Sequence, residues 1–441
     1  MTLSALSWRR RALAALTVLA VTVSGLLLAA PAEAGNRVTP GNFTGYGFDQ
    51  CNAPSQTAMD AWLTSSPYFA VGIYIAGKSR YCKEQPNLTP EWVSTQLRSG
   101  WRLLPITVGR QASCTTVDRY RTNRISADPT GGYKKAREQG KAEATVTVKA
   151  AQGLGISPKS TLWYDIEHFD IGIRRCRLSA LAFLSSWTDR LHELDYVSGV
   201  YSSGSSGIAM LDAADRDFPD RWTMPDRLWI ADWNGRDDVS SSYVRPTAWM
   251  PHARVHQYRG DHYEKHGGVS IQIDSNFLDV GRGSTVRRKP RTCGVQMDFP
   301  RYGFLRLGSE WPQVSALQCL LRQKRLYDAP ITGTFDRVTQ QAVRDYQRSR
   351  SLEVTGKVAR NTWTSLLSEG TKPVLKYGSA GNPVRRVQRA LNAALGSGLA
   401  VTGVFEAETT AALREYQGRR NLYRTGVVAG GTWAQLVAGR L

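Results

Sequence analysis

The stretch Leu-Trp-Tyr-Asp-Ile-Glu-His-Phe at 162–169 sets two carboxylates, Asp165 and Glu167, one residue apart in an otherwise apolar and aromatic run. Side chains alternate along a strand, so these two share a face, roughly 6–7 Å apart. A buried carboxylate without partners costs on the order of several kcal/mol. Two like charges so placed resist simultaneous ionisation, so one acid keeps its proton near neutral pH while the other is charged. A proton donor beside a negative charge is what glycosidic cleavage uses, one to protonate the leaving oxygen and one to stabilise or trap the cationic sugar. The competing reading is structural, with Arg102, Arg174 or Arg175 as the balancing cation.

The pair needs a frame. Between Gly45 and Asp279 eight short apolar runs alternate with helical or loop-like stretches: 45–51, 69–77, 101–109, 161–169, 197–204, 227–234, 253–260 and 269–277. Amphipathic helices are expected at 133–154 and 178–194. Strand–helix alternation implies a parallel sheet, and eight units predict a (β/α)8 TIM-like barrel over 45–280. The last two runs lie so close that the helix between them must be missing or short. Asp49, Asp165, Glu167, Asp232, Gln257, Tyr258 and Asp274 all fall late in their runs. In a parallel barrel the carboxyl ends of the strands meet at one mouth, where active sites sit.

The last third repeats itself. The segments 305–321, 332–347 and 355–367 match 375–391, 402–417 and 425–437 at a constant offset of 70 residues. Val314, Leu317 and Leu321, like Ala342, Val343 and Tyr346, follow helical spacing, and Thr-Gly turns punctuate the helices. Each unit is expected to be a small all-α bundle of three helices, over 301–369 and 371–439, with its apolar stripes as core. A basic linker without periodicity is expected at 281–300.

Residues 1–34 carry the pattern of a cleaved signal peptide: Ser-Trp-Arg-Arg-Arg, a long apolar run, then Ala-Glu-Ala before Gly35. General and twin-arginine export both fit it, and an uncleaved anchor is the alternative. No other membrane span is read. Export puts the six cysteines in an oxidising compartment and predicts three disulfides. Cys293 and Cys319 are expected to pair; Cys51, Cys82, Cys114 and Cys176 leave three pairings open. The formal charge of +20 fits a polyanionic partner. An exported protein meets anionic wall polymer rather than nucleic acid, so a secreted, wall-associated monomer is expected, without membrane insertion once the signal is removed.

Several motifs carry a family resemblance. Gly-Phe-Asp (47–49), Tyr-Asp-Ile-Glu (164–167), Gly-Val-Tyr-Ser-Ser (199–203), Leu-Trp-Ile-Ala-Asp-Trp (228–233), His-Gln-Tyr (256–258) and Ile-Asp-Ser-Asn-Phe (273–277) run in the order found in the family-25 glycoside hydrolases, the barrel muramidases. Gly-Phe-Asp-Gln-Cys-Asn-Ala-Pro-Ser, Gly-Ile-Tyr-Ile-Ala-Gly and the cysteine-bearing loops look closer to a glycoside hydrolase-like barrel family of unknown function, common in actinobacteria. The resemblance implies an acidic centre of Asp49, Asp165, Glu167 and Asp274. By it Glu167 is the general acid, Asp165 the electrostatic partner or nucleophile, and the other two orient the site. The repeats resemble the peptidoglycan-binding domain that accompanies many cell-wall hydrolases, through Leu317-Gln318, Val387-Gln388, Thr-Gly-x-Phe and Tyr-Gln. The family's usual Asp-Gly and Phe-Gly are here Thr-Gly and Phe-Asp or Phe-Glu.

Sugar faces stack on aromatic rings. Trp233, Tyr201 and Tyr258, with Asp232 and Gln257, are the expected substrate contacts, whereas Trp163 and Trp229 read as barrel filling or helix packing. His252, His256, His262 and His266 lack the helical His-Glu-x-x-His of a zinc enzyme, and no metal or cofactor is expected. Tyr-Ser-Ser-Gly-Ser-Ser-Gly (201–207) lacks a nucleophile elbow and reads as loop. Two functions stand side by side: a wall glycosidase tethered by its repeats, and a non-catalytic wall-binding protein with a degenerate barrel.

Overall fold

The computed structural model describes residues 36–286 and 293–441. The expected signal peptide, and 287–292 of the expected linker, lie outside the described residues. The eight apolar runs form strands β1 (Phe43–Asp49), β2 (Ala70–Ala76), β3 (Arg102–Thr107), β4 (Thr161–Asp165), β5 (Val197–Ser203), β6 (Arg227–Ala231), β7 (Ala253–His266) and β8 (Val269–Val280). Around them lie helices α1 (Gln56–Ser65), α2 (Pro90–Ser99), α3 (Thr130–Gly153), α4 (Arg174–Glu193) and α5 (Ala209–Asp217). Local chemistry sets the helix ends. Ser55 accepts the Ala58 N–H at the start of α1, and Thr89 does the same for Trp92 ahead of the proline that opens α2.

The strands close into a barrel in sequence order. β1 to β7 are parallel to their neighbours, but β8 is antiparallel to both β7 and β1. The eighth strand is therefore not the parallel strand expected. The connection from β7 is Gly267-Gly268, both with positive φ. Two residues make a hairpin, whereas a parallel crossover needs a dozen or more. Asp274 thus reaches the mouth from the middle of a reversed strand, opposite Asp49 in the β1 register. Two other runs are shorter than expected. β4 stops at Asp165 and β6 at Ala231, leaving Glu167, Asp232 and Trp233 on loops beyond the strand ends.

The reversed strand leaves the outer face of β1 and β8 without a crossover helix, and a barrel sheet must be covered on both sides. The C-terminal part supplies the cover. It comprises α6 (Pro312–Gln323), α7 (Arg337–Ser349), α8 (Arg360–Ser368), α9 (Asn382–Leu395), α10 (Ala407–Arg419) and α11 (Gly430–Val437), three helices per repeat. The Tyr377 ring of the second repeat lies 5.1 Å from Tyr46 and 6.0 Å from Phe277, edge to face. Gly378 packs so close that a Cβ would stand 2.4 Å from the Thr44 carbonyl oxygen.

The expected apolar stripes of the repeats are buried, Trp363 and Trp433 included. Their cores also take in Met297 and Phe299. Residues 293–300 therefore pack with the repeats instead of serving as linker. Each Thr-Gly turn is held by one buried glutamine. Gln388 accepts the Gly403 N–H and donates to Thr402, Thr409 and the Val404 carbonyl. Gln318, Gln347 and Gln417 do the same at their own Thr-Gly turns.

Three disulfides are present: Cys51–Cys82, Cys114–Cys176 and Cys293–Cys319. Among the described residues no helix is long and apolar enough to cross a membrane.

Candidate active site

The floor of the mouth is aromatic. Trp163 and Trp229 point into the barrel, fully buried, with centroids 5.4 Å apart at 80°. Glycine makes the room, since a Cβ on Gly199 would meet the Trp163 ring at 2.3 Å. The Trp229 indole N–H donates to Asn276 Oδ1 at 2.7 Å, which aims the Asn276 amide N–H at Asp49 Oδ2, also at 2.7 Å. Above this floor the carboxylates gather.

Asp49 is buried at the end of β1, beside Gly72, where any Cβ would collide with its own at 2.5 Å. Besides Asn276 it accepts from Gln257 Nε2 at 3.2 Å and from the Tyr74 hydroxyl at 3.4 Å. Gln257 also donates to Asp274 Oδ2 at 3.3 Å, joining the two acids. Gln257 Oε1 in turn accepts the Tyr201 hydroxyl at 3.1 Å and the Trp233 indole at 2.9 Å. Burial, then the charge of Asp274, pushes Asp49 up to about 7 against the amide and phenol donors that favour its anion. Burial raises Asp274 as well.

Asp165 is only 5% exposed, and its Oδ1 has no hydrogen-bond partner among the described residues. Burial foremost, then Glu167 and Asp49, holds its pKa well above the ordinary value. Glu167 is in a different situation. Its side chain is 38% exposed, 3.8 Å from the Arg119 guanidinium, and accepts the Tyr120 hydroxyl at 3.1 Å. Gln111 links the two acids through the backbone, donating to the Asp165 carbonyl and accepting the Glu167 N–H, each at 2.8 Å. The cation beside the pair is thus Arg119 and not Arg102, which lies over the Phe43 and Phe69 rings at 4.4 and 4.6 Å. No ion pair with either acid involves Arg174 or Arg175 among the described residues.

Asp49, Asp165, Glu167, Asp274, Tyr201, Gln257 and Trp233 therefore come together at the mouth. Asp232 stands at the rim, accepting from Asn234 and Ser241. Tyr258 does not join them. It follows Gln257 on one strand, so alternation turns it outward, toward Tyr46, Tyr68 and Tyr377. Gln111, Arg119, Tyr120, Tyr74 and Asn276 are site neighbours that motif reading passed over. Tyr74 carried a usable signal, lying in a strand two residues beyond Gly72; the loop residues carried none.

The histidines take separate partners: His252 bonds Asp279, His256 two backbone carbonyls, and His262 and His266 share Glu264. The Ser/Gly stretch enters a π-helical turn over Gly204–Ile208, where the Ser206 hydroxyl bonds both backbone groups of Phe169 and braces the loop that bears Glu167.

Residues 60–278 match the family model described as "Rv2525c-like, glycoside hydrolase-like domain". Residues 311–366 and 380–436 each match the model "Putative peptidoglycan binding domain". No curated protein matches. Among solved structures, an uncharacterized B. stearothermophilus protein is 20% identical, over 53% of this chain and 95% of that one, with a TM-score of 0.33. The Mycobacterium tuberculosis Tat-secreted protein Rv2525c in complex with L-tartrate is 12% identical, over 53% and 95%, with a TM-score of 0.37. A family 25 glycosyl hydrolase from Bacillus anthracis is 12% identical, over 56% and 94%, with a TM-score of 0.32. At these scores the three likenesses carry no argument about this chain.

Proposed function

We propose that this chain, a glycoside hydrolase-like barrel joined to two peptidoglycan-binding domains, is a secreted, wall-associated glycosidase that cuts peptidoglycan or a related wall polysaccharide. The observation that carries the reading is the gathering of Asp49, Asp165, Glu167 and Asp274 at one mouth, with a buried Asp165 oxygen left without a partner. Burial raises the Asp165 carboxyl, which favours its protonated form. In this reading the pair Asp165 and Glu167 gives a proton to the glycosidic oxygen as its bond to the anomeric carbon breaks. A carboxylate of the site stabilises the oxocarbenium-like sugar, and a water adds to the anomeric carbon and returns a proton to the pair. Asp49 and Asp274, bridged by Gln257, orient the sugar, and Trp233 stacks on it. The repeats raise the local concentration of glycan at the mouth.

Arg119 favours a second reading, because a guanidinium held at Glu167 also suits a barrel that binds sugar without cutting it. One experiment separates the two. Reducing-end release from purified peptidoglycan is measured for wild type, Glu167→Gln and Asp165→Asn, alongside sedimentation with insoluble wall. The glycosidase reading predicts that release collapses in both variants while sedimentation persists. If wild type releases no more than the variants, the barrel is a binding domain.

A further inference from the structure

On the outer flank of the barrel, between the loops after β2 and β3 and the exposed side of α3, lies a groove of about 1000 Å³. It is separate from the acidic mouth and opposite in charge. Lys78, Arg80, Lys83, Arg110 and Lys135 line it, against two carboxylates, Glu138 and Glu143. Both carboxylates already face a cation, Glu143 with Arg110 at 3.8 Å and Glu138 with Lys134 at 4.0 Å. Lys78, Lys83 and Lys135 have no carboxylate at ion-pair distance among the described residues, so the groove carries an unbalanced positive charge.

The walls are fixed. Arg80 is pinned by donating to the Gly77 and Tyr74 carbonyls at 3.1 and 2.9 Å. The two loops are laced together by Ser79 N–H to the Val108 carbonyl at 2.9 Å and Asn123 Nδ2 to Ser79 Oγ at 3.0 Å. A short stretch of chain links the groove's wall to the acid pair. Arg110 lines it, and the next residue, Gln111, holds Asp165 and Glu167. The Arg110 carbonyl accepts the hydroxyl of Tyr164, the neighbour of Asp165.

We propose that this groove is a binding site for carboxylates attached to the glycan strand, which it holds on the barrel flank while the sugar backbone lies at the mouth. The inference deepens the glycosidase reading and rests on the glycan lying there. Neutral sugar offers the three lysines no counter-charge, whereas a strand bearing peptide carboxylates supplies several anions along its length. Lysines reaching from flexible stems suit a ligand whose carboxylates are not rigidly placed.

The test uses the full chain in the Glu167→Gln background, so that binding is read without turnover. The probes are a soluble glycan-peptide fragment of peptidoglycan, an N-acetylated chitooligosaccharide, and poly(glycerol phosphate). The readout is the rate of acetylation of Lys78, Lys83 and Lys135, followed by mass spectrometry, which is local to the groove and blind to binding at the repeats. The glycan-peptide fragment is expected to slow labelling of these three lysines roughly tenfold at low salt, with protection lost at high salt. The chitooligosaccharide should leave them unprotected. The triple variant Lys78→Gln/Lys83→Gln/Lys135→Gln should lose affinity for the fragment while keeping its fold by circular dichroism. Unchanged labelling overturns the proposal. So does equal protection by the neutral oligosaccharide, or protection by the phosphate polymer alone. Absence of hydrolysis in wild type would sink the glycosidase reading without touching this result.

Discussion

The ammonium group of Lys376, in the second repeat, donates to the backbone carbonyl of Ser66, just past the end of α1, at 2.8 Å. It reaches the Tyr68 carbonyl at 2.9 Å and the Trp62 carbonyl at 3.3 Å, and lies 5.3 Å from the centroids of Phe69 and Trp101. Lys376 is fully buried with no carboxylate at ion-pair distance among the described residues, so three carbonyls and two ring faces replace its water. Its counterpart in the first repeat, Arg306, is exposed. The second repeat is therefore keyed into the barrel, and Lys376→Met should unkey it. The Ser66 and Tyr68 carbonyls lose this donor, while the Trp62 carbonyl keeps the Ser66 N–H and hydroxyl, and the change costs about 2–4 kcal/mol in denaturant unfolding. A midpoint within error of wild type would show that the contact contributes nothing.

Asp49 makes stability depend on pH in a direction that can be stated. Burial foremost pushes its folded carboxyl up to about 7, against an ordinary aspartate value of 3.8. Between those values the unfolded chain binds fewer protons, so stability falls as pH rises from about 4 to about 7 and stays low above. Asp49→Asn removes this penalty. It should be more stable than wild type at pH 8, by about 2–4 kcal/mol, with the gap closing toward pH 4. A gap independent of pH in calorimetry would contradict the assignment.

Trp233 should matter for sugar and not for folding. The residue is 63% exposed, and loss of its indole bond to Gln257 leaves that residue still bonded to Tyr201. Trp233→Ala should weaken oligosaccharide binding by about 1 kcal/mol, measured by titration, with the melting temperature nearly unchanged. A large fall in melting temperature would make the ring a packing element.

Gln388→Leu tests the turns of the repeats. The Gly403 N–H and the Thr409 hydroxyl would lose the amide, whereas the Thr402 hydroxyl keeps both backbone groups of Val404. The expected loss is about 2–3 kcal/mol by denaturant unfolding, with weaker sedimentation on wall. Neutral behaviour would mean that water replaces the amide.

Much of the site was readable because its residues sit on regular elements. Asp49 and Asp165 end strands, and period-two alternation correctly turns Asp165 and Trp163 inward. The same rule, applied one step further along β7, would have turned Tyr258 outward. Arg119, Tyr120 and Gln111 were not readable. They come from the long loop between β3 and α3, whose path is set by the Cys114–Cys176 bond and by packing, not by a local pattern. The four glutamines under the Thr-Gly turns had a signal in the repeat, but a buried polar residue looks like any surface one until its partners are known.

By itself the sequence determined the eight strands, the tandem helical repeats and the acids that end the strands, because periodicity and offset are local properties of a chain. Only the tertiary structure decided that β8 runs backward, that the face this bares is covered by the second repeat through Lys376 and Tyr377, and that Arg119 stands at Glu167 while Asp165 Oδ1 has no hydrogen-bond partner among the described residues. These depend on which distant groups share a dry volume, and desolvation, which raises Asp49, Asp165 and Asp274, is a property of that volume and not of any stretch of chain.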